Sequence, residues 1–279
     1  MKYRIIVDSC GDFTKEMKQN EVFQSVPLEL QIDDKIIVDD ETFDQAQFLE
    51  LVRNSDNCPK SACPSPEQYK QAMECGAEHI YVVTLSEQLS GSYNSARLGK
   101  ELFLEEHKGA NVHVFNSRSA SAGETLAALQ IQKLEEEGCS FEDVVKKVEA
   151  FLKEHQTYFV LETLDTLRKN GRLTGLKAIL AMALNIKPIM QGTREGTIAQ
   201  LDQCRGMEKA VGKMLEYAMA EGRKSGRKWL ALSHCNCHER AMRAKKKLEE
   251  SGIFEKIFIM DTAGISTMYA NDGGIIISV

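Results

Sequence analysis

Three times within residues 1–130 the chain passes from a short apolar run into small polar residues and then into a helical pattern. Residues 3–7 end in Asp8-Ser9, residues 79–84 lead into a serine-rich turn over 86–90, and residues 112–115 lead into Ser117-Arg118-Ser119-Ala120-Ser121. Repetition of strand, polar turn and helix leaves few folds open. It predicts a mainly parallel sheet with helices on both faces, because each helix returns the chain to start a parallel strand. Ligands of such sheets bind beyond the carboxyl ends of the strands, and all three polar turns fall there.

Between these units the pattern predicts a small hairpin, 26–32 with 35–38, turning at Asp33-Asp34, and a helix over 43–53. The loop 57–66 holds three of the five prolines, Pro59, Pro64 and Pro66, which restrict φ and keep their neighbours extended. A helix is expected from 66 to 75, then others over 122–137 and 140–155. The character changes near 156. Strand-like runs follow at 158–161, 186–190, 197–201, 229–232, 257–260 and 275–279, with helices over 207–223 and 238–251. A length of 279 residues is long for one core, so two domains are predicted, 1–155 and 156–279.

The turn 84–96, Thr-Leu-Ser-Glu-Gln-Leu-Ser-Gly-Ser-Tyr-Asn-Ser-Ala, carries the most chemistry. A helix opening at Ser90-Gly91 would leave backbone N–H groups free of intrahelical acceptors, with a partial positive charge, which suits a carboxylate or phosphate. Ser90 equally fits a plain helix cap. Residues 176–184, rich in Ala and Met, have two readings as well: a core helix, or the wall of a slot for an acyl chain. In the second reading burial at about 0.8 kcal/mol per methylene supplies most of the affinity and the polar turn orients the head group.

Other chemistries lack their parts. A formal net charge of −6 argues against general binding of nucleic acid or anionic membranes. The basic run 240–247 is flanked by Glu239, Glu249 and Glu250 and reads as a solvated helix face. No signal peptide or membrane-spanning run is recognisable, so a cytoplasmic location is expected, with the eight scattered cysteines as reduced thiols. Ser233-His234-Cys235-Asn236-Cys237-His238 has zinc-ligand residue types but no separated second pair, so no metal is expected. A hydrolase would need the Gly-x-Ser-x-Gly elbow, which is missing, although Ser90 and His234 offer a serine and a base. Phosphate-binding glycine loops are missing too, and no cofactor is expected.

Six motifs in order give the chain a resemblance to the DegV family of fatty-acid-binding proteins. Val7-Asp8-Ser9 resembles the family's opening turn, the loop 59–65 its Pro-Lys-Thr-Ser-Gln-Pro-Ser segment, and Leu89-Ser90-Gly91-Ser92-Tyr93 its Leu-Ser-Gly-Thr-Tyr turn. Residues 164–172, 184–189 and Arg205-Gly206 match three further signatures. The resemblance implies a two-domain α/β architecture with a mixed or antiparallel C-terminal sheet. It also implies a long-chain fatty acid between the domains, its carboxylate held by Ser61, Ser90 and Gly91, with Ser86 in the same turn. Such proteins serve as the non-catalytic, acyl-binding subunit of a fatty acid kinase, holding acid or acyl phosphate, and Arg205 matches the arginine expected to face the kinase subunit. Arg172 reads as a structural brace, and a monomer is expected.

Two departures bear on the ligand. Ser61-Ala62-Cys63 replaces the family's Thr-Ser-Gln, and Met268-Tyr269-Ala270-Asn271-Asp272-Gly273 stands where the family has His-x-Gly-Pro-Gly. Tyr269 is the replacement donor for the missing histidine, whereas Asp272 would repel an anion if it faced the site. The competing assignment is a small-molecule esterase or phosphoryl-transfer enzyme using the same cleft, and a third is a relative that binds another anion.

Overall fold

In the computed structural model, which describes residues 1–173 and 185–279, the chain begins as β1 (Tyr3–Asp8), α1 (Lys15–Gln19) and β2 (Phe23–Val26). A small antiparallel sheet follows: β3 (Glu29–Ile32), β4 (Lys35–Val38), then, after α2 (Gln45–Asn54), β5 (Lys60–Ala62). Next come α3 (Pro66–Met73), β6 (His79–Thr84), α4 (Ser92–Glu106), β7 (Asn111–Asn116), α5 (Ala122–Glu136) and α6 (Phe141–Glu154). The remainder is β8 (Thr157–Val160), α7 (Asp165–Lys169), β9 (Ile186–Gly192), β10 (Ile198–Arg205), α8 (Met207–Ser225), β11 (Trp229–His234), α9 (His238–Glu250), β12 (Lys256–Asp261), α10 (Gly264–Ala270) and β13 (Ile275–Ser278). The segment 176–184, with its two readings, lies outside the described residues.

The first sheet is parallel throughout, in the order β2-β1-β6-β7. Its central strands β1 and β6 are largely apolar on both faces because both faces are covered. Ile6, Val82 and Val114 pack against Tyr69, Met73, Ala96 and Phe103 of α3 and α4, whereas Val7, Tyr81 and Phe115 pack against α5 and α6. Pro66 opens α3 behind a capping box, in which Ser65 and Gln68 satisfy each other's backbone N–H. The chain moves from β1 to β2 on one side and to β6 on the other, so the turns after β1 and β6 flank the point where strand order reverses.

The second sheet, β10-β9-β8-β13-β11-β12, is mixed: only β11 and β12 run parallel. Strict alternation along β8 divides its residues. Tyr158 and Val160 face α8 and α9, while Phe159 and Leu161 face a cluster that includes Ala122 and Leu126 of α5.

Some local expectations need correction. The run 26–32 is two strands of different sheets, divided at Pro27-Leu28, since proline cannot donate to a ladder. The loop 57–66 contains β5, paired to β3 with Leu30 opposite Ser61. Helix α4 starts at Ser92 with Gly91 as its N-cap residue, so Ser90 is not the cap: its Oγ accepts the Ser92 N–H at 3.2 Å. Helix α10 has no counterpart among the expected elements.

Candidate functional site

Between the second sheet and the turns of the first lies a cavity of about 760 Å³ of atom-free space, its mouth included, with an almost wholly apolar lining. Thr157 and Phe159 of β8 and Leu161 just past its end, alternate residues of the chain, form its floor, joined by Ile276 opposite Phe159 and by Ile198. At ~3.3 Å per residue these positions give the floor a length of ~13 Å. Cys10, Leu85 and Leu89 come from the turns after β1 and β6, and Ile265, Ser266, Tyr269 and Ala270 come from α10.

At the Leu161 end Tyr269 is the predicted head-group residue that lines the cavity; Ser61, Ser90 and Gly91 lie outside its lining, next to residues that form it. Tyr269 lines the cavity, and its Oη lies 3.4 Å from Ser61 Oγ on β5. Burial pushes the Tyr269 phenol up, with the Ser61 contact and the Arg172 charge pulling the other way, so the hydroxyl keeps its proton and is available as a donor. A Cβ on Gly91 would stand 3.2 Å from Cys63 Sγ, and Cys63 Sγ is 3.9 Å from Ser95 Oγ. The proline-stiffened loop is thereby seated on the start of α4, beside Ser90 and Gly91. Arg172 Nε donates to Leu89 O at 3.1 Å, its guanidinium also donates to Asn170 O, and Asn170 Nδ2 donates to Pro59 O at 2.9 Å. These bonds tie both loops to the chain end of α7. Arg172 also lines the cavity, placing a cation at this end, which the bracing role alone did not predict.

Ser86 is not part of that group. It is fully buried, its Oγ donates to Gly196 O at 2.7 Å and accepts Gln88 N–H at 3.2 Å, so it holds the β9–β10 turn against the first sheet. Asp272 faces away as well, paired with Arg53 at 3.4 Å and accepting from Asn236 Nδ2 at 2.9 Å. Met268 is 1% exposed and packs with Leu28, Leu30 and Phe48. Arg205 is exposed at the end of edge strand β10 and makes no ion pair among the described residues. His234, the candidate base, ends β11 with Nε2 3.5 Å from Asp261 Oδ1 and does not line this cavity.

Beneath the turn after β6 sits Asp8, wholly buried. Its Oδ2 accepts Leu85 N–H at 2.9 Å and Ser92 Oγ–H at 2.6 Å, the two ends of that turn, and its Oδ1 accepts Cys10 N–H at 3.2 Å. Glu124 of α5 is also wholly buried beside it, and both its carboxyl oxygens lack a donor. Burial, followed by the nearby Asp8 charge, raises Glu124 well above the usual carboxyl range. The other acidic anchors, Asp12 and Asp39, bind the start of α10. Burial lifts Asp39 to about 7 against the opposing pull of the Ile265 and Gly264 N–H groups.

The opposite end of the cavity is closed by hydroxyls that bond one another. Ser119 Oγ and Thr157 Oγ1 are 2.7 Å apart, and Thr157 Oγ1 donates to Ser278 Oγ at 3.2 Å. A Cβ on Gly192 would meet nothing closer than Thr157 Cβ at 3.8 Å, which leaves this end its width. The apolar wall residues were missed as site residues in sequence. The alternation of 157, 159 and 161 was the signal available, and it was readable only as one face of a strand.

Known proteins share this fold. A DegV family protein from Ruminococcus gnavus, described with vaccenic acid, is 55% identical with a TM-score of 0.95, over 99% of each chain. The Fak B3 protein of the Streptococcus pneumoniae fatty acid kinase, loaded with linoleic acid, is 33% identical with a TM-score of 0.88, over 100% of this chain and 99% of that one. A DegV domain-containing protein of Streptococcus pneumoniae is 34% identical over 278 residues, 99% of this chain and 98% of the relative. The model of the DegV family of uncharacterised proteins matches residues 2–278, and the chain belongs to that family.

Proposed function

We propose that this protein is a non-catalytic carrier of a long-chain fatty acid, held between an N-terminal part, residues 1–155, and a C-terminal part, residues 156–279. One observation carries the reading: an apolar slot along β8 ends at the Ser61–Tyr269 hydroxyl pair, so a hydrocarbon tail and a carboxylate each meet matching chemistry. The fatty acids in the similar Ruminococcus gnavus and Streptococcus pneumoniae structures support it. Ser61, Tyr269, Ser90 and the Gly91 N–H hold the carboxylate, Arg172 adds positive charge, and Phe159, Leu161, Ile198 and Ile276 enclose the tail. Ser86 acts indirectly, through the β9–β10 turn.

The monomer presents the acid to a separate kinase subunit through the face carrying Arg205 and holds the acyl phosphate afterwards, a role supported by the kinase-associated relative. The first test is lipid mass spectrometry on gently purified protein. A co-purifying acyl species, with uptake of added fatty acid, is the expected result; repeated absence of both would sink the reading. Ser90→Ala is expected to weaken binding of the acid more than of its methyl ester, and equal losses would remove Ser90 from the head-group set.

A further inference from the structure

Helix α10 is gripped near both ends by one small sheet. At its start the Asp39 carboxylate, one residue past β4, accepts Gly264 N–H at 2.6 Å and Ile265 N–H at 2.8 Å. Asp12 takes the preceding N–H, from Ala263, at 2.7 Å. Near the other end, Tyr269 reaches Ser61 on β5. β4 and β5 are the two edges of the same sheet, flanking β3, and Leu30 of β3 packs with Ile265 and Met268 of the helix.

The grip is close. Asp39 is 2% exposed, and a Cβ on Gly264 would stand 2.6 Å from Asp39 Cγ, so the helix start can approach the carboxylate only because that residue is glycine. Ile265 and Tyr269 are four residues apart and share one helix face, and both line the cavity. Any tilt of the first turn is therefore carried to the Tyr269 hydroxyl. The Ser61–Tyr269 separation of 3.4 Å is at the outer limit of a hydrogen bond, so that contact cannot hold the helix by itself.

We propose that Asp39 is a positioning residue for head-group selection: by fixing the first turn of α10 it sets the place of Tyr269 against Ser61, without touching ligand. This rests on the head-group assignment above. The small sheet and α10 behave as one wall of the site, with Asp39 at one edge strand and Ser61 at the other. Preference for a carboxylate over a neutral head group then depends on Asp39, whereas preference among tail lengths does not.

The full chain loaded with oleate carrying carbon-13 at its carboxyl group tests this by the carboxyl resonance, with Tyr269→Phe as reference. Asp39→Asn is expected to move the resonance at least halfway to the Tyr269→Phe position. It should also reduce the affinity ratio of oleate to methyl oleate about tenfold, the effect of one lost hydrogen bond to a charged group. The ratio between long and short acids stays as in the unaltered protein. Asp39→Ala should do the same more strongly, and if it does not fold, Asp39→Asn, which keeps one acceptor oxygen, decides. A resonance unmoved in Asp39→Asn but displaced in Tyr269→Phe makes Asp39 a structural cap only and overturns the proposal. A resonance unmoved in Tyr269→Phe itself refutes Tyr269 as a head-group donor, and the proposal falls with that assignment.

Discussion

The two ends of the cavity are both built from hydroxyl side chains, yet they offer opposite chemistry. At one end Ser119, Thr157 and Ser278 bond one another at 2.7 and 3.2 Å; at the other Ser61 and Tyr269 meet only at 3.4 Å. A hydroxyl already bonded to its neighbours presents its carbon side to a ligand. One held loosely keeps donor capacity for an incoming carboxylate. Unspent hydrogen-bond capacity, rather than the number of polar residues, is what marks the proposed head-group end. Ser86 illustrates the rule within the serine-rich turn itself, since its hydroxyl is already engaged by Gly196 O.

The contrast can be broken from the closed end first. His155 is 7% exposed and packed beneath that end, with Nε2 donating to Ser117 O at 2.9 Å, and burial lowers its pKa to about 4. A folded-state value below the unfolded one means stability is full above the unfolded pKa and is lost as pH falls from about 6.5 through about 4. Its share is on the order of 3 kcal/mol, measurable by urea denaturation as a pH slope that His155→Gln flattens. Gly192→Leu fills the same end. We expect a loss of roughly 2 kcal/mol for long acids and a preference shifted to shorter ones, read by competition between acids of graded length.

Two smaller effects sharpen the comparison. Thr157→Val removes the middle hydroxyl of the closed end, leaves Ser119 and Ser278 short of a partner, and should cost about 1.5 kcal/mol of stability by urea titration. Its ratio of acid to methyl ester binding should not change. Tyr269→Phe should do the reverse: roughly 1.5 kcal/mol lost from acid binding by calorimetry, with little change in stability. If both substitutions changed stability and left the ratio alone, the two ends would be equivalent and the distinction would fail.

Much of this was legible in sequence, for identifiable reasons. β1 and β6 are buried on both faces and read as continuous apolar runs, and Pro66 marks a helix start through the missing N–H. Helix α10 was not legible. Gly-Ile-Ser-Thr-Met-Tyr-Ala has two β-branched residues, no polar face because nearly every position is buried, and capping carboxylates 225 and 251 residues away. The proposed head-group end was legible as residue types, since Ser61 follows Pro59 in a proline-rich segment and Ser90-Gly91 sits in a serine-rich turn. Which hydroxyls were already engaged depended on contacts across the chain, as with Ser86 and Gly196, 110 residues apart.

Helix α5 has a consequence for how the molecule comes apart. Every residue from Ala122 to Leu129 is buried, with Ala127, Ala128 and Leu129 packed into the core of the parallel sheet and Ala122 and Leu126 into that of the mixed sheet. Melting either sheet would strip this shared helix of half its partners. The halves should therefore lack separate melting temperatures, and calorimetry should return one endotherm whose van't Hoff and calorimetric enthalpies agree, although the chain is long enough for two folding units.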